Sequence, residues 1–191
     1  MLFTEDQQMI QQLARDFAES ELAPIAAEID REERIPKEII EKMAEIGFTA
    51  LNVPEEYGGP GLDTVCKVLV VSELARQCAS TAEVIAVHTL VNDIFLKHGT
   101  EAQKQKYLTA AVEGKIGAFA LTEPDAGSDL QAVMLKAHWD EAKGTWLLNG
   151  VKRFITNGDG HIGRGNGRRA RTVDVRLRPQ PHGRKGAPHR E

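Results

Sequence analysis

Near Lys115 the hydrophobic period of this chain changes from helical to strand-like, and that change bounds what the sequence can fold into. Before it, Thr4 to about Ala111 reads as helix. "TEDQ" (Thr4 to Gln7) is a capping box, and Ile10, Leu13, Ala14 and Phe17 follow at helical spacing. Pro24 and Pro36 each suit the first turn of a new helix, and Gly47 suits a C-cap. "TVCKVLVVSELARQC" is locally ambiguous, but its length predicts a buried helix. "STAE" (Ser80 to Glu83) predicts a second capping box, opening a helix with Val84, Val87, His88, Val91, Ile94 and Phe95 on one face. After Lys115, "KIGAFALT", "VMLKAHW", "TWLLNG" and "VKRFITNG" are short, aromatic and branched, with Asn149-Gly150 as a tight-turn signal. The fold class expected is α+β: an all-α N-terminal domain over residues 1–114, then an incomplete antiparallel β domain over 115–159. About four strands are too few to close a sandwich or barrel.

Charge divides the chain at a different place. Residues 1–159 carry a net charge of −11, whereas residues 160–191 carry +7, within a total of −4. The tail holds eight Arg, one Lys, six Gly and three Pro, and no aromatic residue. Such a composition cannot build a core, so residues 160–191 are expected to be a disordered basic tail. No apolar run reaches the roughly 20 residues a membrane-spanning helix needs. Cys66 and Cys78 lack metal-ligand spacing and are expected to sit reduced on helices, which makes the cytoplasm the expected compartment.

Between the two divisions lies "FALTEPDAGSDLQA" (Phe119 to Ala132), with caps, a breaker and a corner of small residues but few side chains worth burying. Taken alone, Thr122 to Ser128 is an ordinary strand-to-loop corner. Glu123 and Asp125 read as loop or capping carboxylates, and His88 as a hydrogen-bonded core histidine rather than a general base. "PEEYGGPG" reads as a structural turn, and Trp139 and Trp146 as sheet residues.

"ALTEPDAGSDLQA" strongly resembles the signature of the acyl-CoA dehydrogenase family. "NVPEEYGGPGLD", "GTEAQKQKYL" and "LNGVKRFITNG" resemble that family's other recurring segments, in the right order, over residues 1 to 159. The resemblance implies an FAD enzyme that oxidises an acyl-CoA thioester to its 2,3-enoyl form and passes electrons to an electron-transferring flavoprotein. It also implies a homotetramer or homodimer, with a glutamate base in a C-terminal bundle. Residue by residue, it implies that a strand from Phe119 through Ala120 and Leu121 to Thr122 lies along the flavin ring. Backbone N–H groups and the Thr122 hydroxyl would bond the flavin's polar edge. Gly127 and Ser128 match the corner that closes the flavin segment, and Ser128 also meets substrate. Phe154, Ile155 and Thr156 match the second flavin segment, with Phe154 standing where many relatives have Trp. Acyl chain length is set largely by pocket residues, and the Phe154 motif only leans towards short or medium chains.

The resemblance ends abruptly at Asp159, where "GHIGRGNGRRARTVDV" replaces the family's apolar strand. Gly and Arg codons read one base forward give codons for Val, Ala, Asp, Glu and Gly. A change of reading frame near Asp159 is therefore expected, with the catalytic glutamate region absent from residues 1–191. Weak or no FAD retention and no turnover are expected of this chain alone. Two other readings compete. One is a non-catalytic module binding a flavin or a partner. The other is nucleic-acid attachment through the tail, against which stands its lack of aromatics or any RNA-binding motif.

Overall fold

Thr4 starts the first helix as its sequence predicts: its hydroxyl accepts from the Gln7 N–H, and the Gln7 side chain returns the bond to the Thr4 N–H. The computed structural model describes residues 3–158 with 171–172 and 175–177. These divide into two units, one running to Ala120 and taking back 155–158, the other holding 121–154 with the later strand residues.

The first unit is helical. Helix α1 (Glu5–Phe17) continues into a π-helical turn, Ala18–Leu22, which the spacing does not announce. Then come α2 (Ala26–Glu32), α3 (Lys37–Glu45), α4 (Thr64–Gln77), α5 (Ala79–His98) and α6 (Glu101–Val112). Pro36 stands at the N-cap of α3, and Gly47 takes the left-handed conformation (φ 82°) just past its end. The ambiguous "TVCKVLVVSELARQC" is α4, capped by Asp63, whose carboxylate accepts from the Cys66 N–H. The predicted cap at Ser80 is not used. Helix α5 begins two residues earlier than that cap would start it, at Ala79, behind Cys78, whose extended backbone ends α4 and starts α5 with no side-chain cap. Cys66 and Cys78 are both buried and free.

Helix α1 packs on α4, and α4 on α5. Their shared core gathers Phe17, Leu22, Met43, Phe48, Leu51, Val70, Leu74 and Ile85, with Phe17 and Phe48 edge to face at 5.8 Å. Burying such side chains stabilises by about 2 kcal/mol each. Buried Glu73 bridges α4 to α1, accepting from Arg15 at 2.9 Å and Gln11 at 2.7 Å. A second cluster (Ala50, Val53, Tyr57, Leu108 and Ala111) packs the "PEEYGG" turn onto α6. That turn is structural, as expected.

The second unit carries short antiparallel strands. β1 (Ala137–Asp140) pairs with β2 (Thr145–Leu148), which pairs with β5 (Val175–Leu177); β3 (Val151–Lys152) pairs with β4 (Arg171–Thr172). Trp139 and Trp146 face each other in register, rings 5.3 Å apart. Asn149-Gly150 joins strands of two different sheets and makes no hairpin, because β3 pairs with β4 rather than with β2. Of residues 160–191, only Arg171–Thr172 and Val175–Leu177 are described, as strands; the expectation of disorder otherwise falls outside the described residues. No helix among the described residues is long and apolar enough to cross a membrane.

Candidate functional site

The expected strand from Phe119 to Thr122 does not form; residues 115–122 run without regular structure. Thr122 O does accept from the Arg153 N–H at 2.8 Å, as a ladder would require. The next carbonyl back, Leu121 O, is taken instead by the Lys152 ammonium at 2.8 Å. Leu121 O faces the opposite edge from Thr122 O, so the Lys152 ammonium satisfies a carbonyl there that no strand pairs. The partner segment is broken too: β3 stops at Lys152, and Phe154 and Asn157 sit at positive φ, 55° and 65°.

Lys152 also donates to Glu123 at 2.9 Å. Glu123 is the buried carboxylate of this corner, and its two oxygens accept from the N–H groups of Met134 (2.7 Å) and Leu135 (3.0 Å). The Met134 bond first, then the Lys152 ammonium, hold its carboxyl below the usual carboxylate range. Glu123 therefore ties the corner to the segment before β1, which is the structural role expected of it. Its backbone bridges Ala126, closing a tight loop over Pro124 and Asp125. Asp129 caps the short 3₁₀ turn Leu130–Ala132 through the Gln131 N–H.

Within the second unit Leu121 and Thr122 are half-buried, and Gly127 and Ser128 are exposed. A Cβ added at Gly127 meets no atom within 4 Å, and its φ is not in the left-handed range. Neither backbone conformation nor internal packing therefore demands glycine there. Phe154 is 78% exposed on its left-handed backbone, where a bulky residue is an outlier. In the first unit Phe119 and Ala120 are exposed, whereas Ile155 and Thr156 are half-buried. Among the described residues, the hydroxyls of Thr122, Ser128 and Thr156 and the backbone N–H groups of Ala118 to Thr122 make no hydrogen bond within the protein. Arg153 brings Thr122 beside the Phe154 segment; no hydrogen bond joins Gly127 or Ser128 to either among the described residues.

His88 is 1% exposed, and both ring nitrogens are bonded, as expected of a core histidine. Its Nδ1 accepts from the Gly117 N–H at 2.9 Å, so the proton lies on Nε2, which donates to Thr49 O at 2.7 Å. Burial pushes its pKa below the usual histidine range. Its bonded neighbours are neutral, and the nearest ion pair in the network, Lys67–Asp93, reaches it only through Asn52 and Asn92. With the folded pKa lowered, the unfolded chain takes up a proton below about pH 6.5 that the folded chain refuses. His88 therefore destabilises the fold as pH falls, by at most about 1.4 kcal/mol per pH unit. Urea unfolding of wild type and His88→Gln from about pH 7.5 to about pH 5.5 should show a steeper loss in the wild type. Parallel pH profiles would contradict it.

Two family descriptions match this chain: the acyl-CoA dehydrogenase N-terminal domain over residues 4–115, and the acyl-CoA dehydrogenase middle domain over residues 118–161. The chain belongs to the acyl-CoA dehydrogenase family, a family of FAD flavoproteins. It is 46% identical over 156 residues to the acryloyl-CoA reductase (NADH) of Anaerotignum propionicum, covering 81% of this chain and 40% of that one. Butyryl-CoA dehydrogenase from Megasphaera elsdenii superposes with a TM-score of 0.78 at 40% identity, over 83% of this chain and 43% of that one. A chain of the electron transferring flavoprotein structure from Acidaminococcus fermentans also gives 0.78, at 43% identity, over 83% and 42%. The chain thus spans about two-fifths of the length of the curated relatives it matches.

Proposed function

We propose that residues 1–114 and 115–159 are the helical domain and part of the middle domain of a flavin-linked acyl-CoA dehydrogenase, presenting the first half of its FAD site. Phe154 is the observation that carries this reading. A large aromatic ring held in solvent on a left-handed backbone has no reason within the protein's own packing, and a planar cofactor supplies one. The chemistry of the residues suits the group: in the second unit the N–H groups of Leu121 and Thr122 and the Thr122 hydroxyl, and in the first unit the N–H groups of Phe119 and Ala120 and the Thr156 hydroxyl, make no hydrogen bond among the described residues and can each bond a polar ring edge. Gly127, with open space where a Cβ would stand, and exposed Ser128 would leave room for the cofactor and the thioester, and Ile155 is half-buried within the second segment. FAD held there would supply hydride-accepting chemistry for oxidising an acyl-CoA between its α and β carbons, and the α-proton needs a separate base.

Glu123 is not that base, because both its oxygens are engaged and its proton affinity is lowered. We assign the base to a glutamate outside residues 1–191, and propose a frame change near Asp159, supported by a middle-domain match that stops at residue 161. The DNA across and beyond codon 159 decides the frame. Electrons would pass to an electron-transferring flavoprotein in a cytoplasmic homotetramer or homodimer, with butyryl-CoA-sized substrates favoured by the relatives. The likeness to an acryloyl-CoA reductase supports the reverse direction, hydride addition to an enoyl-CoA, at the same site.

Thr122→Val and Gly127→Ala test the site. Each is expected to weaken FAD binding to the chain about tenfold, in a fluorescence titration at excess FAD, with urea unfolding unchanged. Wild-type affinity in both variants would remove Thr122 and Gly127 from the site.

A further inference from the structure

Gly117 lies outside every helix and strand, yet both ends of its peptide environment are held by side chains rather than by backbone. Its N–H donates to His88 Nδ1 at 2.9 Å, and its carbonyl accepts from Asn157 Nδ2 at 3.1 Å. Asn157 also reaches Val84 O on α5, at 3.4 Å, and holds the left-handed backbone that asparagine tolerates better than most residues. A side chain at 117 would force Val91 to move, since a Cβ there would stand 2.8 Å from Val91 Cγ1 and 3.1 Å from Val91 Cβ. The chain therefore lies flat on α5 at this one residue, two positions before Phe119. It is tied in the same place to the residue that follows Thr156.

We propose that His88 and Asn157 are positioning residues that clamp Gly117 from its two sides, and so join the approach to Phe119–Ala120 with the Ile155–Thr156 segment. The proposal rests on the flavin reading for its purpose, because these two stretches are the first unit's share of that site. Its geometry stands without it. Behind His88 the clamp is anchored deep in the helical unit: Nε2 holds Thr49 O, which also accepts from Asn92 at 3.2 Å, while Thr49 Oγ1 donates to Ala111 O at 2.9 Å. Asn92 continues to Asn52, and Asn52 donates to Thr89 O and to Asp93. A fully bonded polar network of this kind specifies one arrangement, since any shift leaves a buried polar atom without a partner.

The two nitrogens of His88 can be replaced one at a time. Glutamine places an amide where Nε2 stood and keeps a donor for Thr49 O, but leaves the Gly117 N–H without its acceptor. Asparagine places an oxygen where Nδ1 stood and keeps that acceptor, but gives up Thr49 O. In the 191-residue chain, His88→Gln is expected to raise amide exchange at Gly117 about tenfold and to weaken FAD binding about tenfold. His88→Asn should stay close to wild type in both readouts. Asn157→Gly keeps the left-handed backbone, removes the carbonyl contact, and should follow His88→Gln, so the clamp stays testable if a core substitution impairs folding. A purely structural histidine would instead rank the variants by global stability, with Gly117 exchange following the unfolding free energy. Either that ranking, or Gly117 exchange unchanged in both His88→Gln and Asn157→Gly, overturns the clamp whatever FAD does. The expected exchange order in a chain that FAD never perturbs overturns the flavin reading, and with it the purpose assigned to the clamp.

Discussion

Phe154→Gly is expected to weaken FAD binding about tenfold or more while leaving the chain about as stable as the wild type. The two effects have separate causes. Glycine removes the strain of a bulky residue at φ 55°, about 1 kcal/mol, and adds a similar entropy to the unfolded chain. The ring is 78% exposed, so its removal takes little burial from the fold. What disappears is an aromatic face already held in place for a planar ring. A FAD titration alongside urea unfolding separates the two. A variant that unfolds more readily while binding FAD as before would mark Phe154 as a packing residue and take away the main support for the site. Phe154→Trp, which keeps a large aromatic face, should keep the affinity.

Gly59→Ala is expected to destabilise the helical unit by about 3 kcal/mol. A Cβ at this position would sit 2.2 Å from Val53 O and 2.5 Å from Val53 Cβ, and the nearest atom is rigid backbone. Val53 cannot retreat: it is fully buried in the cluster with Leu108 and Ala111, and its carbonyl already accepts from the Gly61 N–H at 2.8 Å. The preceding residue, Asn52, belongs to the buried polar network around His88 and would be displaced with it. Urea unfolding followed by circular dichroism gives the number. A loss under about 1 kcal/mol would mean that the turn yields, and that its glycines answer to something other than Val53.

The helices were legible because their signals are local. Thr4 with Gln7, and the spacing of Ile10, Ala14 and Phe17, lie within one stretch of chain. Length separated α4 from the strand that "VLVV" suggests. The start of α5 was misplaced because Cys78 ends one helix and begins the next through backbone geometry alone, which no side-chain pattern records. In the second unit the failures share a cause. Around Thr122 a single backbone bond, from the Arg153 N–H thirty-one residues on, stands where a ladder was expected. The break at Phe154 depends on a dihedral that a phenylalanine does not advertise. The motif "ALTEPDAGSD" marked the candidate site from sequence. The Gly117 clamp escaped because His88, Gly117 and Asn157 are distant in the chain, and only the fold shows why residue 117 has no side chain.

The most direct test of the account is an amide chemical-shift map of the 191-residue chain titrated with FAD, which registers even weak binding. The account predicts saturable shifts at Phe119 to Thr122, at Gly127 and Ser128, and at Phe154 to Thr156, with the amides of α1 to α3 unmoved. Shifts confined to the arginine-rich residues 160–191, as simple phosphate attraction would give, or no saturable shift at millimolar FAD, would contradict it.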